Sequence, residues 1–333
     1  MNIRVAITGI GIEAPVLPGV TKVGELVGQS ASYAWCFDPA AKLGKKGLRY
    51  KETATLLGLC SARAALQDSG WLTEGADPKL NDDDFGVAIA SNSGNLDTVC
   101  AVADTIGREH VNATSPMDLP NASSNVIAST IAIRFGLRAM NLMVTSGANA
   151  SADALILAHA AIGSGRVRSM LVGAVEIDGL ALRSLQAERR LAPDAEPAAA
   201  CVVPLATTLI LESEASAKAR GARIYGYLED YEFSGASARA AQRFAAFVQR
   251  QPDALRCLDP GQVDPGQAGQ QTAVCAEPVD LSRSIGQLYG SLAAAQLAYA
   301  CEQFEAGSAS SALLVSGGAL GDKRMTALSV ARA

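Results

Sequence analysis

The sequence predicts an α/β protein made of two halves of like construction. Three observations carry this. Apolar, β-branched runs end in glycine, as buried strands do; alanine-rich stretches with helical spacing lie between them; and one helix–strand unit recurs late in the chain.

The first strand is read in "RVAITGIG" (4–11) and a second in "DFGVAIASNSG" (84–94). Between them "KETATLLGLCSARAALQDSG" (51–70) has apolar residues at helical spacing and closes on Gly70. "VTSGANASADAL" (144–155) reads as a short apolar strand that turns at Ser146-Gly147 and enters a helix, followed by a strand in "RSMLVGAVE" (168–176). "SLAAAQLAYACEQFEAG" and "SSALLVSGGA" repeat that helix–strand order. Superposing Leu171-Val172 on Leu314-Val315 gives an offset of 143 residues. The charged, proline-containing stretch around 186–199 is the expected connection between a first half at 1–185 and a shortened second half at 200–333.

Composition bounds the function. With 49% hydrophobic and 18% charged residues in 333, the chain can bury one large or two coupled cores. A net charge of -5 argues against nucleic acid as a partner. The seven cysteines have neither CxxC pairing nor metal-ligand spacing with histidine, so reduced thiols and no metal are expected. The chain has neither a signal-like start nor an apolar run long enough for a membrane, which leads us to expect a cytoplasmic protein with no cofactor.

A strand that turns sharply into a helix is how many folds present a nucleophile, because free backbone N–H groups and the helix dipole favour an anion there. The residue at this turn is Ala148, which can attack nothing.

"RVAITGIGIEAP", "LGKKGLRYKETATLLGLCSARAALQDSGW", "LPNASSNVIASTIAIRFGLRAMNLMVTSGANASADAL", "RSMLVGAVE" and "SEASAKARGARIYGYLEDY" together resemble a β-ketoacyl synthase of the elongating, type II kind. The resemblance implies a thiolase-like fold, with duplicated halves in five layers α-β-α-β-α, and a dimer. In that family the turn carries the cysteine that holds the acyl chain, and an acyl carrier protein delivers the malonyl unit. Two histidines and a lysine in the second half complete the chemistry.

Here every aligned position differs. Ala148 replaces the cysteine. Within "SIGQLYGS", Gln287 stands at the second histidine and Ser282 at the lysine. Pro260, in "CLDPGQ", is the best placement of the first histidine, and Ala319, in "SGGALG", stands at the aromatic gate. The chain's two histidines, His110 and His159, both lie in the first half. The segment before the strand at 207–212 is cut back to "PDAEPAAACVVPL".

This pattern of loss resembles the chain length factors of type II polyketide synthases, although their usual replacement is glutamine. The implied role is an inert subunit of a heterodimer with an active ketosynthase, pairing through Asn141, Leu142, Met143, Val144 and Thr145. Two alternatives stay open: a hydrolase or acyltransferase using Ser146 with Gln287, and a self-paired acyl-binding protein. The basic run of Lys42, Lys45, Lys46, Arg49 and Lys51 is either a solvated face or a dock for the acidic carrier protein.

"TGIGIEA" matches a dinucleotide fingerprint, but Pro15 and Pro18 interrupt the helix that should follow, so Gly9 and Gly11 are read as shaping a strand exit. His159, on an Ala/Leu/Ile background, reads as structural. His110 reads as a loop or helix-end residue.

Overall fold

The computed structural model describes the chain except residues 1–2, 16–18, 28–34, 74–77, 191–201, 236, 252, 259–277 and 318–323. Its strands are β1 (Val5–Glu13), β2 (Phe85–Ala90), β3 (Asn141–Val144), β4 (Ser169–Glu176), β5 (Leu205–Ser213), β6 (Gly226–Phe233), β7 (Leu255–Cys257), β8 (Ser311–Gly317) and β9 (Met325–Arg332). They form one sheet in the order β3-β2-β4-β5-β1-β6-β9-β8-β7.

That order contains the duplication. In the first half β2 is parallel to β3 and β4, while β5 runs antiparallel between β4 and β1. In the second half β7 and β8 are parallel, and β9 runs antiparallel between β8 and β6. Thus β6, β9, β8 and β7 repeat β1, β5, β4 and β2, and β3 has no counterpart among the described residues. The halves meet edge to edge where Val5–Ile7 of β1 pair with Gly226–Leu228 of β6.

Five layers follow from which faces bury apolar side chains. Helices α1 (Pro39–Leu43), α2 (Thr53–Asp68), α3 (Leu96–Glu109), α4 (Val126–Phe135), α5 (Ala150–Gly163), α6 (Leu180–Arg190), α7 (Glu214–Ala219), α8 (Ala238–Gln249), α9 (Leu281–Ile285) and α10 (Leu292–Glu305) complete the chain. In β2, Val87 and Ile89 pack with α2 and α4 on one face, and Ala88 and Ala90 join α5 on the other. Helices α5 and α10 form the central layer between the two half-sheets. Phe247 of α8 covers Leu313 and Val315 on the outer face of the second half. Strands buried on both faces need near-continuous apolar sequence, which is why β2, β4 and β5 were conspicuous as runs.

Helices α5 and α10 begin 142 residues apart, as do β4 and β8. The repeat is therefore one residue shorter than the expected 143. Side chains alternate along a strand, so the parity decides which face a residue serves. Val172 and Leu314 share the central core, whereas Leu171 and Leu313 face outward to different helices.

One further expectation needs correction. Gly9 and Gly11 lie within β1, and a Cβ there would sit 2.5 Å from Ala65 O and 2.0 Å from Ser61 O. They let α2 lie directly on the strand, so close approach, and not a strand exit, requires glycine. The connection expected at 186–199 starts inside α6, which continues to Arg190; 191–199 lie outside the described residues. β5, at 205–213, sits between β4 and β1 and so completes the first half-sheet. Among the described residues no helix is long and apolar enough to cross a membrane.

Candidate functional site

The turn after β3 has the strand-to-helix form read in the sequence. Gly147 adopts φ +69°, a left-handed conformation that favours glycine, and a single 3-10 turn over Gly147–Asn149 leads straight into α5. Ala148 sits in that turn, only 3% exposed.

The Gly147 peptide is held from the first half. Its N–H donates to Asn92 Oδ1 at 2.9 Å, and Asn92 Nδ2 donates to Gly147 O at 3.0 Å. Asn92 is fixed in turn by Glu176 at the end of β4, whose Oε1 accepts from Asn92 N (3.0 Å) and Nδ2 (2.6 Å). The other oxygen, Oε2, accepts from Ser93 Oγ at 2.8 Å and Ser93 N at 3.3 Å. Glu176 is fully buried; burial pushes its carboxyl up, and these donors act in the opposite sense.

From the second half come Arg324 and Thr326. Asp153 on α5 accepts from Ser146 Oγ at 2.5 Å and forms an ion pair with Arg324 at 2.6 Å. The fully buried Asn149 donates through Nδ2 to Arg324 O (2.9 Å) and accepts from Thr326 Oγ1 (2.7 Å).

The repeat places a matching turn, Tyr289–Ser291, ahead of α10. Gly290 there lies against the same clamp: a Cβ on it would be 2.2 Å from Asn92 Nδ2 and 2.6 Å from Glu176 Oε1. Tyr289, at φ +47°, directs its hydroxyl toward the first turn, 3.7 Å from where a Gly147 Cβ would stand.

Gln287 and Ser282 lie on the approach to this second turn. The Gln287 Oε1 accepts from Tyr289 N at 3.2 Å, and its carbonyl accepts from Val203 N at 2.9 Å, so the residue stabilises local backbone. Ser282 is the second residue of α9, with its Oγ buried and without a hydrogen-bond partner among the described residues. Pro260 and Ala319 lie outside the described residues. His110 caps the end of α3 at φ +80°. His159 is half-buried in mid-α5, edge-on to Tyr231 at 6.0 Å, and burial lowers its pKa. Neither histidine is bonded to the turn. Ser146 is paired with Asp153, which is itself held by Arg324, and Gln287 is engaged elsewhere; this is no nucleophile–base pair of the kind the hydrolase alternative requires.

The basic run is divided by the fold. Lys45, Lys46 and Arg49 are exposed on the loop between α1 and α2, ahead of the helix and not on it. Lys42 pairs with Glu13 at 2.5 Å. Lys51 is partly buried, and burial and then the Arg134 cation lower its pKa. Burial is a tertiary property, which the charge pattern alone could not reveal.

The strand proposed for pairing, β3, is the outer edge of the sheet and among the described residues pairs with β2 alone. Val87 N donates to Met140 O and Ser91 N to Val144 O, so alternate residues Asn141, Met143 and Thr145 turn their backbone groups outward. Helix α3 carries an apolar stripe but buries none of its residues, leaving Val99 and Ile106 exposed. Met117 and Leu119 after it, and Leu180 and Leu185 on α6, are exposed as well. Asp97 of α3 caps α6 by accepting from Leu180 N (3.0 Å) and Ala181 N (2.8 Å). This surface was not anticipated from the sequence, although the amphipathic period of α3 was there to be read.

Residues 24–203 match the model of the β-ketoacyl synthase N-terminal domain. A 3-oxoacyl-[acyl-carrier-protein] synthase 2 of Vibrio harveyi is 26% identical over 266 residues, covering 70% of this chain and 63% of that protein. The Coxiella burnetii protein of the same description is 23% identical over 326 residues, 86% of this chain and 77% of its own length. The chain thus spans about 63% of the Vibrio harveyi relative's length. Among solved structures, the ishigamide ketosynthase/chain length factor matches with TM-score 0.79 and 16% identity over the whole of both chains. A type II PKS acyl-carrier protein in complex with its ketosynthase matches at TM-score 0.76 and 19% identity, again over all of both chains. These likenesses establish the thiolase-like fold.

Proposed function

The chain belongs to the β-ketoacyl synthase family, and from this we propose that it is a catalytically inert, chain-length-factor-like subunit that pairs with an active ketosynthase in polyketide or specialised fatty acyl chain elongation. One observation carries the reading: the turn that would present a nucleophile is fully built and clamped from both halves, yet it holds Ala148. A protein that had simply lost its site would have no need to keep the turn bonded to Asn92 on one side and to Arg324 on the other. Keeping the frame without the thiol suits a subunit whose value is its shape.

Pairing is supported by the open edge of β3 and by the apolar residues of α3 and α6, which none of the described residues buries. Exposed edges invite strand addition, and large exposed apolar patches mark interaction sites. The acyl carrier protein would be the complex's other partner, attracted to Lys45, Lys46 and Arg49, with Lys51 behind them. The curated relatives are described as synthases; that activity is theirs.

Co-expression with candidate ketosynthases, followed by co-purification, tests the proposal. We expect a one-to-one complex with a ketosynthase that retains its cysteine and histidines. A protein that remains a homodimer beside every candidate would exclude the heterodimer. Acyl transfer onto the isolated protein, seen by mass spectrometry at one site, would exclude inertness.

A further inference from the structure

We propose that Tyr289 is a stopper: its side chain stands in the approach to Gly147 and Ala148 and keeps acyl chains out of this subunit's turn. This deepens the inert role proposed above and rests on it for the identity of what is excluded.

The two turns are counterparts, and they differ at the residues that face each other. At the 142-residue repeat that separates α5 from α10, Gly147 corresponds to Tyr289 and Ala148 to Gly290. Both members of the first pair are left-handed, Gly147 at φ +69° and Tyr289 at φ +47°. Each copy of the turn therefore takes the same backbone shape. Glycine adopts it without strain, whereas a tyrosine there is an outlier that persists only where its surroundings fix it.

The surroundings do fix it. Tyr289 N donates to Gln287 Oε1 at 3.2 Å, and on the other side Ser291 N and Oγ donate to Leu288 O at 3.0 and 2.6 Å. Gln287 O accepts from Val203 N at 2.9 Å, and Ala294 N in the first turn of α10 donates to Ser151 Oγ of α5 at 3.3 Å. The ring is thus aimed by a backbone that is pinned before and after it.

It is aimed at the face of the first turn that the clamp leaves open. Asn92 takes both the N–H and the carbonyl of Gly147, and Gly290 backs onto that carbonyl, which lies 3.0 Å from a Cβ built at 290. In front of the Gly147 Cα the situation is different. Chain neighbours aside, the Tyr289 hydroxyl is the one atom among the described residues within 4 Å of the point where a Cβ would stand, at 3.7 Å. The side chain that the first turn lacks at 147 leaves the space that the second turn's side chain enters. A half-buried tyrosine closes such a space with its apolar ring and meets the polar turn with its hydroxyl. Ala148, next to it, is 3% exposed, and an acyl thioester could reach that position only by displacing the ring.

The test uses the full chain, alone and paired with its ketosynthase, with Ala148→Cys as reporter and labelling at position 148 followed by peptide mass spectrometry. Tyr289→Gly and Tyr289→Asn both remove the ring and both suit a left-handed backbone, so either serves where the other lowers the denaturation midpoint. In each, iodoacetamide should label the new thiol about tenfold faster, as when the open form rises from about a tenth of the molecules to nearly all. A long-chain N-alkylmaleimide should gain more than iodoacetamide, and Tyr289→Phe should label at the tyrosine rate. Rates are compared across pH, because an altered thiolate fraction moves the midpoint of the profile whereas access scales its plateau. Equal plateaus with and without the ring overturn the stopper, as does a phenylalanine variant that labels as fast as the glycine one; neither result touches the co-purification on which the inert-partner reading depends. If the chain pairs with no ketosynthase while the ring still controls labelling, that reading falls and the closure of the turn by Tyr289 stands.

Discussion

Asn92 grips Gly147 by both of its peptide groups, donating to the carbonyl and accepting from the N–H, across 55 residues of sequence. The amide oxygen accepts from the peptide before the Gly147 Cα and the amide nitrogen donates to the peptide after it, so one side chain fixes both peptide planes of this residue, while the nitrogen also donates to Glu176. The turn's shape is consequently set by a residue on the loop after β2, with Glu176 holding that residue in place.

Asn92→Ala should be strongly destabilising. It leaves the Gly147 N–H without its acceptor and strips Glu176 of a donor, and a buried polar group left unpaired costs about 1–3 kcal/mol. Urea denaturation should register a loss of at least about 2 kcal/mol. A smaller loss would mean that water replaces the amide and that the clamp is not what fixes the turn.

Ala148→Cys should place a thiol in the first turn before α5, where free N–H groups and the helix dipole favour the thiolate. Iodoacetamide should label it faster than Cys60 and Cys257, whose thiols burial pushes up to about 12, and faster than Cys301, which is raised by burial and then by Glu302. A thiol of that kind is thiolate in only about one part in 10⁵ at pH 7. Condensation should stay undetectable, since the loss of one oxyanion donor alone costs about 2.7–4 kcal/mol. Restored condensation would show that other groups support the reaction.

His159 gives a pH signature. Burial lowers its folded pKa below the unfolded 6.5, with Asp230 and Glu229 acting the other way. A depressed histidine contributes stability that is present above pH 6.5 and is lost as the pH falls through the folded value. The wild type should therefore lose more stability than His159→Leu between pH 7 and pH 5. Measuring the difference between the two proteins cancels the buried carboxylates Glu176 and Glu302, whose raised values tilt the curve in the opposite direction.

Asn141→Pro tests strand pairing. Asn141 is exposed, begins β3, and turns its backbone N–H away from β2, so proline removes an outward donor without breaking the existing ladder. The variant should keep its denaturation midpoint, while co-purification with the ketosynthase falls. Undiminished pairing would move the contact away from this edge.

The turn at 146–148 is legible in the sequence because strand, glycine and helix follow one another locally, and the duplication is legible because the repeated unit is compact. What escapes is whatever depends on distant partners. Asp153 and Arg324 are 171 residues apart, and Asn92 and Glu176 are 84 apart, with no local period to join them. The repeat offset slips by one because matching Leu-Val to Leu-Val compares letters, whereas the fold keeps faces. Gly9 and Gly11 look like turn residues for a similar reason: the helix that demands them starts more than 40 residues later.

The crowding at Gly290 carries a consequence for how this chain's ancestor could evolve. Duplication creates two equivalent turns, and either copy might be thought free to acquire a reactive side chain. Only one is, because any β-carbon at 290 would collide with the amide and carboxylate that shape the other turn. The inherited symmetry is thus broken by sterics before selection acts. Of the two matching turns, the one at 147–149 alone has room for a side chain at its middle position, where Ala148 stands, and Asn92 and Glu176 exclude one at 290.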